Sequence, residues 1–200
     1  MINPVRPDWY AYYLPLEGDT MFECGGKQNP DLIPGQNLTY KDWFVSLGYR
    51  HVSVDFDPRW ADFNDDLRLP LLEKHGTFDM FTNIGTSEHI ETNQLGFWRN
   101  VHEMTKVGGL YIHLTPYPGG DDWHRHGIWY PEEAFFPSFA ALNGWEVEKI
   151  GVVGTVRQDR TKPHRNILAR LRKVEDKPFA GIDESLIWFN PNGWNKPLNK

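Results

Sequence analysis

Phe78-Asp79-Met80-Phe81-Thr82-Asn83-Ile84-Gly85-Thr86-Ser87-Glu88-His89-Ile90 decides how this chain is read. The stretch from Phe78 to Asn83, with Phe78, Met80 and Phe81 apolar, has the length of a short buried strand. It ends in small and polar residues, then in a Glu88-His89 pair ahead of a helical pattern. Ligands of open α/β sheets sit just beyond the carboxyl ends of the strands. A strand end carrying Asn83, Gly85, Thr86, Ser87, Glu88 and His89 is therefore a candidate site. It admits close main-chain approach and offers groups that bond or move protons.

Working outward, the hydrophobic pattern alternates strands with helices. Met21 to Cys24 reads as a first strand, ended by Gly25-Gly26. Thr39 caps a helix through Trp43, Phe44 and Leu47 that Gly48 stops. His51 to Phe56 is the second strand, and the span Asp62 to Lys74 leaves room only for an abbreviated strand and helix. A helix from Glu91 to Lys106 repeats Phe97, Trp98, Val101 and Met104 at helical spacing. Gly108 to Leu114 is the next strand, and Pro131 suits the first turn of a helix through Phe135, Phe139 and Leu142, ending at Gly144. Trp145 to Val153 and Arg165 to Lys173 alternate as a final hairpin. The expected fold is α/β, a doubly wound and mostly parallel sheet with an antiparallel C-terminal strand.

Composition narrows the function. At 200 residues the chain matches one domain with a core of its own. A formal charge of −6 offers no footprint for nucleic acid or an anionic membrane. The lone Cys24 has no internal disulfide partner, no apolar run reaches the ~18 residues of a membrane span, and Met1 to Pro7 lacks a signal-peptide layout. A cytoplasmic location is the expectation. The chain carries 9 Trp, 8 Tyr and 12 Phe, many of them in the expected loops, including two flanks, Asp8 to Leu14 and Ile187 to Trp194. Such flanks either close the core at the sheet edges or wall a pocket for a flat or sugar-like substrate.

Three further segments join the first. Gly25 and Gly26 end the first strand in a turn that lets a ligand approach the main chain. Asp55 ends the second strand, where an acid accepts ribose hydroxyls in nucleoside-binding sheets. Its separation from Gly26 exceeds the ~20 residues of the dinucleotide fingerprint, and the Pro-rich stretch between them accounts for the excess. Asp65-Asp66 then leads into Leu67-Arg68-Leu69-Pro70-Leu71.

Together these segments resemble the class I, Rossmann-like S-adenosylmethionine-dependent methyltransferases, over roughly Met21 to Val153. Glu23-Cys24-Gly25-Gly26-Lys27 is similar to the family's Glu-x-Gly-x-Gly motif, with Lys27 where the last glycine belongs. Asp66 to Leu71 resembles its adenine-side element, and Thr86-Ser87-Glu88-His89-Ile90 its fourth-strand ending. The resemblance implies S-adenosyl-L-methionine as cofactor, with Glu23, Gly25 and Gly26 toward the methionine end and Asp55 on the ribose. It also implies Asp66 and Leu67 at the adenine, and Asn83 and Gly85 under the sulfonium. A single domain is implied, with residues 1–19 an aromatic flank, 20–174 the core and 175–200 a tail.

Methyl transfer from a sulfonium is an in-line displacement, so the protein chiefly holds nucleophile, methyl and sulfur in a row. A base helps when the acceptor is a hydroxyl or a protonated amine, and the candidates are His89, His124 and His126. The stretch Asp121 to Tyr130 resembles a substrate-side wall of the family. The expected acceptor is small or glycan-like, since the Asn/Asp-Pro-Pro-aromatic motif of DNA amino-methylating members is absent. Two other classes compete. His124-x-His126 beside Asp121, Asp122 or Glu132 has the donors for Zn or Fe. The altered Gly26-Lys27 turn leaves open a non-catalytic relative that binds partners through its aromatic surface.

Overall fold

In the computed structural model, residues 18–25, 39–57, 59, 61–117, 127–155 and 164–190 are described. Six strands form one sheet: β1 (Thr20–Cys24), β2 (Arg50–Val54), β3 (Phe78–Ile84), β4 (Thr105–Pro116), β6 (Trp145–Thr155) and β7 (His164–Lys173). Their order is β2-β1-β3-β4-β7-β6. β2, β1, β3 and β4 run parallel, and β7 lies antiparallel to both β4 and β6. The doubly wound, mostly parallel sheet is thus observed, with its antiparallel C-terminal strand.

Helices cover both faces. α1 (Tyr40–Ser46) follows β1 and seats Phe44 against Met21, Met80, Ile112 and Leu168. Thr39 caps it reciprocally with Asp42, as its position ahead of the apolar pattern predicts. On the other face, α3 (Gln94–Met104) and α4 (Phe135–Asn143) bury Phe97, Trp98, Val101, Phe135 and Phe139 over Phe22, Phe81 and Tyr111. Each such side chain adds ~1.5–3 kcal/mol relative to exposure. Among the described residues, no helix is long and apolar enough to cross a membrane.

Two elements depart from the expected reading, each for a physical reason. α3 starts at Gln94 rather than Glu91, because Asn93 takes a left-handed conformation (φ 57°) and caps the Gly96 N–H. Pro131 lies in a strand, β5 (Trp129–Pro131), because Ile187–Phe189 (β8) pairs with it in a small antiparallel ribbon. Between β2 and β3 the segment is abbreviated as expected, with a single parallel bridge, Val54 to Phe63, and the four-residue α2 (Leu72–His75).

Candidate functional site

The strand order reverses between β1 and β3: β2 lies on one side of β1, and the chain returns to the other. Clefts of open α/β sheets form at this switch point. Here a cleft of about 570 Å³ opens at the carboxyl ends of β2 and β3, within the ~300–1,000 Å³ typical of small-molecule sites. Asp55 to Asp57 forms one side, Asp65 to Arg68 another, and Gly85, Thr86 and His89 to Glu91 the third.

Each side has a local reason for its shape. Asp55 Oδ1 accepts the Asp57 N–H at 2.8 Å, which turns the chain at the end of β2 and holds the carboxylate at the rim. Asp66 binds the Arg68 guanidinium in a fork, with contacts of 2.7–3.0 Å, and also accepts the Arg68 N–H. Those Arg68 hydrogen bonds hold the Asp66 carboxyl below its usual range. Asp65 bonds Lys74 and His75, and its carboxyl is held low chiefly by Lys74. Asn100 reaches from α3 to the Leu67 and Leu69 carbonyls and fixes this loop. On the third side, Gly85 has φ 70° and donates its N–H to Leu114, and the chain then winds into a short 3₁₀ turn, Ser87–His89.

Of the residues singled out from sequence, Asp55, Asp66, Leu67, Gly85 and His89 come together at this cleft. Gly25 adjoins it through Thr86: with φ 77°, it donates its N–H to Val54 and packs on the Thr86 side chain. Two residues point elsewhere. Glu23 is buried on the α1 face and meets His51 Nε2 at 3.1 Å. Asn83 is buried on the α3 face, where its amide bonds Ser87 and His113. Gly26, His124 and His126 lie outside the described residues, as do Asp121 and Asp122. Among the described residues, no group of three His, Cys, Asp or Glu is placed to hold a metal ion.

Phe56, Asp57, Asp65, Arg68 and Glu91 line the cleft without having been assigned a role there. Phe56 offers the clearest signal, a large apolar side chain between two acids that remains 83% exposed. The described end of the aromatic segment packs beside the site. Ile128 donates its N–H to the Glu88 carbonyl at 2.6 Å, and Gly127 rests on the Glu88 side chain. Trp129 lies tilted against Phe189 with centroids 4.7 Å apart, and its indole N–H points to the Glu91 carbonyl.

Solved structures of other proteins share this fold. A methyltransferase from Mesorhizobium loti, described as S-adenosylmethionine dependent, superposes with a TM-score of 0.59 at 14% identity, over 83% of this chain and 96% of the other. The chain has the class I methyltransferase fold. The 1,6-didemethyltoxoflavin N1-methyltransferase of Burkholderia thailandensis, crystallised with that compound and S-adenosylhomocysteine, gives 0.57 at 13% identity, over 85% of this chain and 78% of its own. A protein of Methanosarcina mazei gives 0.57 at 10% identity, over 86% and 99%. No protein-family model matches the chain, and no curated protein sequence does.

Proposed function

We propose that this methyltransferase-fold chain is an S-adenosyl-L-methionine-dependent enzyme that methylates a small or glycan-like acceptor. The observation that carries the reading is the cleft itself, which joins Asp55 at the end of β2 to Gly85 at the end of β3 across the switch point.

The residues present suit an adenosyl group. Asp55 supplies carboxylate oxygen for ribose hydroxyls at the rim. Asp66 is committed to Arg68, so the adenine edge falls to the main chain of Asp66 to Arg68 and to the apolar faces of Leu67 and Ile90. Phe56, projecting at the rim, offers a flat surface. When bound, the sulfonium supplies an electrophilic methyl group and a leaving group that needs no acid. The protein's part is orientation and exclusion of water. His89, 28% exposed at the cleft and 3.8 Å from the Glu88 carboxylate, is the candidate among the described residues to take a proton from an acceptor. Support for a small acceptor comes from the neighbour crystallised with 1,6-didemethyltoxoflavin and from the acidic charge of the chain.

A crystal grown with S-adenosylhomocysteine tests this reading. The ribose is expected within hydrogen-bonding reach of Asp55 and the thioether near Gly85; density on any other rim of the sheet would overturn it.

A further inference from the structure

Behind the cleft floor lies a buried polar cluster that the proposed chemistry does not use. Asn83 on β3 stands opposite His113 on β4, and Tyr111 and Thr115 flank that histidine on the same face. All four side chains are buried. Asn83 Nδ2 lies 2.7 Å from Ser87 Oγ and 3.0 Å from His113 Nδ1, while Asn83 Oδ1 accepts the Ser87 N–H at 3.0 Å. Tyr111 OH lies 2.8 Å from His113 Nδ1, and His113 Nε2 lies 2.8 Å from Thr115 Oγ1.

The tautomer of His113 follows from its partners. The Ser87 N–H can only donate, so the oxygen of the Asn83 amide must face it, and the NH₂ must face His113. An NH₂ directed at Nδ1 requires that nitrogen to be bare, and the Tyr111 hydroxyl, 2.8 Å away, then donates to the same lone pair. The imidazole is then neutral and protonated on Nε2, which donates to Thr115. Burial agrees, pushing His113 down to about 3 and the Tyr111 phenol well above its ordinary value. The ring is faced by Tyr111 and Thr115 from its own strand, Asn83 from β3, Trp98 from α3, Phe136 from α4 and Ala169 from β7. None of these is a carboxylate or a cation.

We propose that Asn83 and His113 are positioning residues: a neutral imidazole, bare at Nδ1, holds the Asn83 amide in the one orientation that clamps Ser87, and so sets the turn from Gly85 to His89 against which the cofactor lies. The clamp acts on both the backbone and the hydroxyl of Ser87, the first residue of the 3₁₀ turn. Gln94 grips the Ser87 carbonyl from α3 at 2.9 Å, so the turn is held from two elements. The proposal rests on the reading of the cleft as a cofactor site.

The test is Asn83→Asp, with S-adenosylhomocysteine affinity measured by calorimetry and the His113 tautomer read from its ¹⁵N resonances. The introduced carboxylate keeps an acceptor for the Ser87 N–H but turns a second acceptor toward His113 Nδ1. The neutral imidazole answers by carrying its proton on Nδ1 and accepting from the Thr115 hydroxyl at Nε2, so the tautomer reverses. That reversal is expected in the variant's ¹⁵N resonances, together with an affinity about tenfold weaker, because the carboxylate lacks the NH₂ that donates to Ser87 Oγ. A variant that keeps a bare Nδ1 and binds like wild type would overturn the proposal. The ¹⁵N resonances of His113 in the wild-type protein, assigned with His113→Gln, give a second readout that depends on no variant's folding. A bare, pyridine-type Nδ1 is required, and a protonated Nδ1 sinks the clamp. If wild-type protein fails to bind S-adenosylhomocysteine, the cofactor reading fails and the positioning role with it, whereas the nitrogen resonance still decides the clamp.

Discussion

Gly25 stands so close to Thr86 that a Cβ on residue 25 would lie 2.0 Å from the threonine Oγ1. That hydroxyl donates to the Cys24 carbonyl at 2.9 Å, so the ends of β1 and β3 are stitched together beside the cleft. The glycine at the end of β1 is thus required by a protein contact as well as by its positive φ of 77°.

Gly25→Ala is expected to destabilise the fold by about 2 kcal/mol or more, from strained backbone and the Thr86 clash together. Adding Thr86→Ala relieves the clash alone, so the pair should be non-additive by about 1 kcal/mol in a denaturant-based double-mutant cycle. Strict additivity would show that the two residues do not meet.

Glu23 and His51 form a buried pair whose side chains are 3% and 0% exposed. Replacing either by Leu leaves the other buried without this partner, at about 1–3 kcal/mol. The double replacement should recover part of that loss, because apolar groups tolerate the site that a lone polar group does not. Chemical denaturation of the two single variants and the double variant measures this. Singles that cost nothing would contradict the pairing.

Asp79 gathers the Thr20 hydroxyl at 2.6 Å, the Thr20 N–H at 3.0 Å and the Lys106 ammonium at 2.8 Å. Burial pushes its carboxyl upward, but the bonds from Lys106, Thr20 and Asp19 outweigh burial and hold it far below the usual carboxylate range. A depressed folded-state value stabilises the protein above the unfolded value, near pH 4, and that stability drains away as pH falls toward the folded one. Asp79→Asn should therefore lower stability by about 1–2 kcal/mol at neutral pH and by progressively less in acid. Equal loss at about pH 7 and pH 3 would contradict the assignment.

How much of this was legible in the residues depends on the range of the interaction. The end of β3, with Gly85 and His89, could be read because an apolar run followed by small and polar residues is a local signal. Asp55 was legible for the same reason at the end of β2. The destination of Asn83 was not. Its parity with Phe81 places it on the α3 face, but only the register Asn83 to His113 reveals its partner, and register is a tertiary property. Tyr111, His113 and Thr115, alternating inside a strand of apolar residues, carried a warning of a buried polar row. Glu23 was hidden likewise, since its partner His51 belongs to the neighbouring strand. Pro131 misled because the segment that pairs with it, Ile187 to Phe189, lies far downstream. The pairing of Asp66 with Arg68 needed no fold at all, because an acid and an arginine two residues apart in a loop readily form a fork.

In the proposed cofactor site, Asp55 at the cleft rim is the ribose acceptor. Titration calorimetry with S-adenosylhomocysteine on wild-type protein and Asp55→Ala, checked for equal thermal stability, addresses it directly. Micromolar binding by the wild type and an affinity at least about tenfold weaker in the variant are predicted, as expected for loss of a charged hydrogen-bond acceptor. Equal affinity in the two proteins, or no binding by the wild type up to millimolar ligand, would contradict it.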